Sequence, residues 1–345
     1  MADQLSTPVR EAGLRLPRAL RSSDPVNVMQ GPPLAPFRIA PFFSPRPWGT
    51  MDLSPWFDFR PAEPIGEAWL TGPQCLIETG DQQGRTLSEL AAAYPEALLG
   101  PHRNEVGDYP LLIKILFPHD KLSVQVHPDD ALAQQSGEPR GKTECWYVLD
   151  AKPGAAVALG LKPGTTLEAM RQAIANHTLE AMLEQVAVKN GDMIFVDAGT
   201  VHAIGPGVTL LETQQTSDIT YRLYDYGRPR ELHIDSGLAA TRLHTAAGKV
   251  PPKTEGARTR LIEQKYFSVD RLAVTPTSPF RSEPPVGVPH SLVAVEGAAV
   301  IFAEGCEPVD LMLGRAVVVP AAVPAYRLES SADATVIRSQ PPAST

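Results

Sequence analysis

The chain has few cysteines, little basic charge and no long apolar runs, and each shortage narrows what it can be. Its three cysteines, Cys75, Cys145 and Cys306, are spread without CxxC spacing. An odd and sparse set argues against a disulfide framework and for a reducing compartment. The formal net charge of −8 argues against nucleic-acid and membrane-surface roles, since both need a basic field. A local basic pocket for a small anion is compatible with it. No stretch reaches the ~18 apolar residues of a membrane span. Residues 1–35 carry Arg10, Arg15, Arg18 and Arg21 but no apolar run of signal-peptide type. They read as a polar tail, and cytoplasm is the expected location.

Proline is what the chain has in excess, with 35 among 345 residues, about twice the ~5% average share. Proline fits neither a helix interior nor a sheet ladder, so short strands and turns are expected rather than long helices. Leu111 to Phe117 and Leu122 to Val126 read as consecutive strands turning at Pro118-His119-Asp120. Trp146 to Leu149, Ala156 to Leu161, Met193 to Val196, Thr209 to Leu211 and Thr220 to Tyr224 continue the β pattern. Asp81 to Leu99 reads as a small helix with Leu87, Leu90 and Ala91 on one face. From Leu167 to Val186, helical spacing of Leu167, Met170, Ile174, Leu179, Met182 and Leu183 predicts one or two inserted helices, with Thr166 and Thr178 as N-caps. A linker over 251–256 precedes further strands at Phe267 to Val274, Ser291 to Val295, Ala298 to Ala303 and Arg315 to Val319. The expected organisation is a tail (1–35), a β unit (36–247) with a helical insertion around 166–186, and a second β unit (257–345). Short strands at this spacing suggest barrels or jelly rolls.

Gln125 and His127 stand two apart on an expected strand and therefore share a face. Glu144 opens another strand and can aim a carboxylate from the opposite wall. His202 follows Gly199-Thr200-Val201 just past a strand end. Imidazole, carboxylate and amide oxygen together suit zinc, manganese or iron. Zinc, one ion per chain, is the expected occupant, with other divalent metals as substitutes. Each residue alone is more readily a hydrogen-bonded core group; only the combination points to a metal.

Residues 191–202, from Gly191-Asp192 to Val201-His202, fit the frame G-x5-P-x-G-x2-H with Asp197 in place of proline. This resembles the second motif of the cupin barrels, and Gln125-Val126-His127 resembles the first. Leu122 to Asp130, Gly141-Lys142-Thr143-Glu144-Cys145-Trp146-Tyr147, Ala198 to Ala203 and Glu212 to Arg222 narrow the likeness. Together with Pro47-Trp48-Gly49 and Gly66-Glu67-Ala68-Trp69, they resemble type I mannose-6-phosphate isomerase in its short bacterial form, over residues 36 to 245. Besides Asp197, the departure is Thr50, where the family often has a second glycine. The support for Glu144 comes mainly from this resemblance.

The resemblance implies a metal-dependent aldose–ketose isomerase that interconverts mannose 6-phosphate and fructose 6-phosphate by C1–C2 proton transfer. Lys142 matches an active-site lysine of the family, and Arg222 would share the pocket with Asp218. At four residues apart these two would face one side of a regular strand and could form an ion pair. Lys114, alone in an apolar run, needs a partner, a function or an exposed face, and Ser123 is a candidate phosphate contact. Catalytic candidates are thus Arg222, Lys142, Asp218 and Glu212; substrate-binding candidates are Lys114, Ser123, Lys142 and Arg222. Glu212, Asp218, His119 and a metal-bound water all remain open as the general base. The expected partner is a small-molecule sugar phosphate, with no nucleic acid or membrane, in a monomer or homodimer.

Gly314 to Ala325 fits the same frame, with Ala322 for the second glycine and Ala325 where the histidine would stand. A mainly β fold follows: one cupin jelly-roll domain with a helical insertion and one degenerate cupin-like β domain that binds no metal. His290, alone there, reads as structural or exposed. A non-catalytic regulatory cupin that binds sugar phosphates is the main alternative, and a cupin dioxygenase a further one.

Overall fold

The computed structural model describes residues 34–104 and 108–343. The expected tail lies outside the described residues except for Leu34 and Ala35. Every residue of the strand Leu111–Leu116 is buried, Lys114 included. A strand buried on both faces needs a packed layer on each side. It belongs to a seven-stranded antiparallel sheet ordered Gly248–Lys249, Met193–Val196, Glu144–Ala151, Val208–Gln215, Leu111–Leu116, Ile65–Thr71, Phe42–Thr50.

One face of this sheet presents Leu116, Trp146, Val148, Ile194 and Leu210 to Leu122, Val157, Leu159 and Ile204. Most of that opposite wall is a five-stranded sheet ordered Tyr221–Tyr224, Val124–Val126, His202–Ile204, Ala156–Leu161, Leu183–Ala187. The other face sends Ile113, Ile115, Cys145, Tyr147 and Phe195 into a core shared with Phe267, Val269, Val293, Val318 and Ile337. Four of these, with Phe267 just before the strand Ser268–Val274, belong to a second seven-stranded sheet, Phe37–Ile39, Ala316–Val319, His290–Glu296, Ala334–Gln340, Ser268–Val274, Arg258–Glu263, Lys253–Glu255. A four-stranded sheet closes over it around Leu272, Leu292, Ile301, Leu328 and Val336. The fold is therefore mainly β, of cupin jelly-roll type, with two antiparallel sandwiches sharing a central core.

The strands at Leu111–Leu116 and Val124–Val126 are consecutive but lie in different sheets, so the turn at 118–120 crosses the sandwich rather than closing a hairpin. The expected helix over 81–99 is two, Leu87–Ala93 and Pro95–Leu99, because proline cannot continue the first. Thr86 and Glu89 form a capping box at its start. The inserted helix runs Leu167–Ala175 and is capped by Thr166. Only a short 3₁₀ turn, Leu179–Met182, follows; Thr178 gives it no side-chain cap. Leu183–Ala187 is an edge strand paired to Ala156–Leu161 rather than helix. Within the expected linker, Lys253–Glu255 forms a hairpin with Arg258–Glu263. Phe37–Ile39, grouped by sequence with the first β unit, pairs with Ala316–Val318 of the C-terminal sheet.

Gly199 sits in the turn before His202 with φ +92°, and a Cβ there would meet Arg242 Cγ at 2.6 Å. Its N–H donates to His127 O at 2.8 Å, tying the two histidine segments together. Asp197, at the cupin proline position, accepts from Thr200 Oγ1 at 2.8 Å and from Ala246 N at 3.1 Å. It holds the turn by hydrogen bonds where proline would hold it by its ring. Gly199→Ala is expected to cost about 1–3 kcal/mol through left-handed strain and the clash, read as a lower unfolding midpoint in urea. An unchanged midpoint would show that the turn relaxes freely.

Candidate metal centre and active site

Register assembles the site from two facing rows of side chains. Across the five-stranded sheet Arg222 stands opposite Gln125, and Gln125 opposite His202. Across the facing sheet Lys114 stands opposite Glu212, and Glu212 opposite Trp146. Glu144 lies two residues before Trp146 and so shares its face. Between the rows is a cavity of about 430 Å³, lined in part by Arg46, Trp48, Glu67, Lys114, Ser123, Gln125, Lys142, Glu212, Asp218, Thr220, Arg222 and Arg230. That is the size of a small-molecule site.

His127, Glu144 and His202 are all buried, and one ligand atom from each lies within 4.8 Å of the others. His127 Nε2 is 3.5 Å from Glu144 Oε2, and His202 Nε2 is 3.6 Å from Glu144 Oε1. His127 Nδ1 faces Ile219 O at 2.9 Å and His202 Nδ1 faces Thr200 O at 2.9 Å. A carbonyl only accepts, so each Nδ1 carries the hydrogen and each Nε2 turns a lone pair inward. Burial, with Lys142 nearby, pushes the His127 imidazole well below its usual value. Burial also lowers His202, to about 4. Both rings are therefore neutral near pH 7, as metal ligation requires.

Glu144 Oε1 accepts from Trp146 Nε1 at 3.1 Å. Its Oε2 is buried and takes no hydrogen bond, although Lys142 Nζ lies 3.0 Å away as an ion-pair partner. Two neutral imidazoles and a buried carboxylate whose Oε2 has only the Lys142 ammonium beside it fit a divalent cation. Gln125 fits less directly. Its Nε2 faces His202 Nε2 at 3.2 Å while its Oε1 accepts from Ser123 Oγ at 3.1 Å. Ligation through the oxygen requires the amide to turn over.

The cations are buried with their partners. Lys114, 2% exposed in its side chain, reaches Asp218 Oδ1 at 3.0 Å, Glu67 Oε2 at 3.7 Å and Glu212 Oε1 at 3.9 Å. It also lies over the Trp69 ring at 4.5 Å. The partner required by a lysine in an apolar strand is thus present, and the exposed-face explanation fails. Lys142 Nζ is 3.2 Å from His127 Nε2 and 4.0 Å from Glu212 Oε1. Burial alone would discharge Lys142, but Glu144 and Glu212 override it and raise its pKa, keeping it charged. Burial and Glu144 push the Glu212 carboxyl up to about 7.

Asp218 and Arg222 both line the cavity, but the ion pair expected between them is not what the structure shows. Asp218 lies before the strand Tyr221–Tyr224 and bonds Lys114. Arg222 Nη1 donates to Glu231 O at 2.7 Å, and its buried Nε has no acceptor. The four-residue spacing misleads because the strand starts only at Tyr221. His119 is exposed and stands outside the cavity lining.

Sequence reasoning assigned no role to Glu67, Arg46, Trp48 or Arg230. Glu67 had a signal, a carboxylate inside the wholly buried strand Ile65–Thr71. Arg46 Nη2 pairs with Glu67 Oε2 at 3.1 Å. Arg230 comes from a distant loop and is held by Asp225 at 2.6 Å; nothing in its local sequence indicates this.

Fold and site define a cupin protein with a candidate divalent-metal site at His127, Glu144 and His202 beside a small-molecule cavity. Residues 46–173 match the model of the phosphomannose isomerase type I catalytic domain. The chain is 34% identical over 296 residues to the mannose-6-phosphate isomerase of Streptococcus mutans, covering 82% of this chain and 91% of that protein. It is 36% identical over 266 residues to mannose-6-phosphate isomerase ManA of Bacillus subtilis, covering 72% of this chain and 83% of that one. A crystal structure of the mannose 6-phosphate isomerase from Bacillus subtilis superposes with a TM-score of 0.80 at 29% identity, over 89% of this chain and 99% of that one. The chain belongs to the type I phosphomannose isomerase family.

Burial by itself would raise the Glu67 carboxyl, but Lys114 and Arg46 override it and hold it down at about 2. A depressed carboxylate contributes stability that is complete above its unfolded value of ~4.3 and lost as pH falls through the folded one, here on the order of 3 kcal/mol. Glu67→Gln should flatten the loss of unfolding free energy between pH ~5 and ~2, measured by urea titration at stepped pH. An acid limb as steep as the wild type's would show that Glu67 is not held ionised.

Proposed function

We propose that the chain interconverts mannose 6-phosphate and fructose 6-phosphate, and that a single zinc ion held by Gln125, His127, Glu144 and His202 assists. One observation carries the site assignment. Two neutral imidazoles and the Glu144 carboxylate converge next to Gln125 and Lys142, which line a sugar-sized cavity together with Lys114, Arg46, Arg222 and Arg230. Such an ion supplies Lewis-acid stabilisation where negative charge develops on the sugar oxygens.

The residues of the chain do the rest. Arg222, which lines the cavity and has an unused Nε, takes the phosphate, helped by Ser123 and the charge of Lys114. Lys142 donates toward the sugar oxygens at C1 and C2. Glu212 takes the proton from C2 of the aldose and returns it to C1 of the ketose, through an enediol-like intermediate. Its place within 4.0 Å of both lysines supports that role. Asp218 orients Lys114 from the cavity rim. We assign the C-terminal sandwich, with Ala325 where the frame of residues 191–202 has His202, to a scaffold role without metal.

The reaction involves a free metabolite and needs no membrane. Among the described residues no helix is long and apolar enough to cross one. A sugar-phosphate substrate of central metabolism fits a cytoplasmic enzyme, which we take to be a monomer or homodimer.

A coupled assay for fructose 6-phosphate formation should show activity that is lost on chelation and restored by zinc. His202→Ala should lower kcat by roughly two orders of magnitude or more; full activity in either case would overturn the metal-assisted mechanism. Arg222→Ala should raise KM about tenfold, the loss of one charged hydrogen bond, with a smaller change in kcat. An unaltered KM would remove Arg222 from phosphate binding.

A further inference from the structure

We propose that Tyr266, in the C-terminal half of the chain, is a positioning residue for the active site, acting through Asp130 and Gln215 on the loop that carries Lys142. This rests on the reading of Lys142 and Glu144 as active-site groups. The loop Gly141–Thr143 precedes the strand that begins at Glu144 and touches the sheet at its last residue, where Thr143 O accepts from Gln215 N at 3.2 Å. Its three successive amides each have an acceptor. Gly141 N donates to Asp130 Oδ1 at 3.0 Å, Lys142 N to Pro128 O at 3.0 Å, and Thr143 N to Gln215 Oε1 at 3.0 Å.

Two of these acceptors depend on one carboxylate. Asp130 Oδ1 also accepts from Gln215 Nε2 at 2.9 Å, which orients the amide that receives Thr143. Asp130 Oδ2 accepts from Tyr266 Oη at 2.6 Å. The phenol thus fixes the one oxygen of Asp130 that the loop does not occupy, and with it the rotation of the carboxylate. Tyr266 is placed by Phe267, which is fully buried in the core between the sandwiches. Gly141 leaves no slack, since a Cβ there would meet Asp129 C at 2.4 Å and Pro128 O at 2.6 Å. A shift of the Asp130 carboxylate therefore moves the loop, and the loop moves Lys142 Nζ relative to Glu144 Oε2, 3.0 Å away. The second sandwich is on this view part of the catalytic apparatus as well as a scaffold.

Wild type is measured first for isomerase turnover and, by chelator competition without substrate, for zinc affinity. Tyr266→Phe removes only the hydroxyl. It should lower kcat about 3- to 10-fold and weaken zinc affinity by a similar factor, with KM and the melting temperature little changed. Asp130→Ala should lose about 10- to 100-fold. Asp130→Asn, which keeps one carbonyl acceptor for the Gly141 and Gln215 donors, should recover part of that loss. Adding Tyr266→Phe to Asp130→Ala should cost nothing more, because the two act as one unit. Lys253→Ala, exposed in the hairpin strand Lys253–Glu255 and outside this network, should leave turnover at the wild-type value. A Tyr266→Phe protein with wild-type kcat and zinc affinity overturns the proposal, and a lower melting temperature alone would mark the contact as merely structural. An inactive wild type would count against the isomerase reading, while zinc affinity would still decide on the positioning role.

Discussion

Five ionisable side chains, Lys114, Lys142, Glu67, Glu144 and Glu212, are buried together in the first sandwich. Charges removed from water are tolerated only when opposite charges and hydrogen bonds replace the lost solvation. Here two positive groups face three negative ones. The imbalance shows at Glu212, whose carboxyl rises to about 7 under burial and the Glu144 charge. A divalent cation beside Glu144 would reverse the excess and make the cavity attractive to a phosphate. Trp146 Nε1 bridges Glu144 and Glu212 at 3.1 and 3.2 Å and keeps the two carboxylates in place. Truncating either lysine would leave three carboxylates facing one cation in a low dielectric, so the pocket's stability and its chemistry are not separable.

The surrounding sheets exist to hold that cluster. Because Leu111–Leu116 is covered on both faces, Lys114 has no route to water except past its partners. The histidines are oriented by main-chain carbonyls of Ile219 and Thr200, groups whose positions follow from chain path rather than side-chain identity. The left-handed Gly199 and the Asp197 hydrogen bonds set the turn that delivers His202. In the second sandwich the corresponding segment reaches Ala325, and His290 is a buried core residue. Its Nδ1 meets Tyr326 Oη at 3.0 Å, and burial with Arg338 lowers its pKa to about 3. Asp270 there is held between Arg260 and Arg338 at 2.5 and 2.6 Å, an internal ion network with both signs satisfied.

The metal-ligand candidates were legible in the sequence because they sit in short local frames. Strand alternation put Gln125 and His127 on one face, and glycine spacing marked His202. Family likeness supplied Glu144. Lys114 was legible as an anomaly, a charge in an apolar run whose explanation had to come from elsewhere. The four-residue spacing of Asp218 and Arg222 carries no pairing information, because Asp218 lies before the strand Tyr221–Tyr224 begins. Arg46, Arg230 and Tyr266 gave no local signal, since each enters the site region from a separate segment.

What the sequence determined by itself was therefore the alphabet of the site: which ligand types are present, which turns take glycine, and that β sandwiches would carry them. Tertiary structure decided the pairings. Glu212 meets Lys114 and Lys142, Arg222 keeps an unused Nε, and Tyr266 holds Asp130 from the other half of the chain. The physical reason is range. Side-chain direction along a strand is set by neighbours one or two residues away, whereas the compensation of a buried charge depends on which strands the sheets bring together.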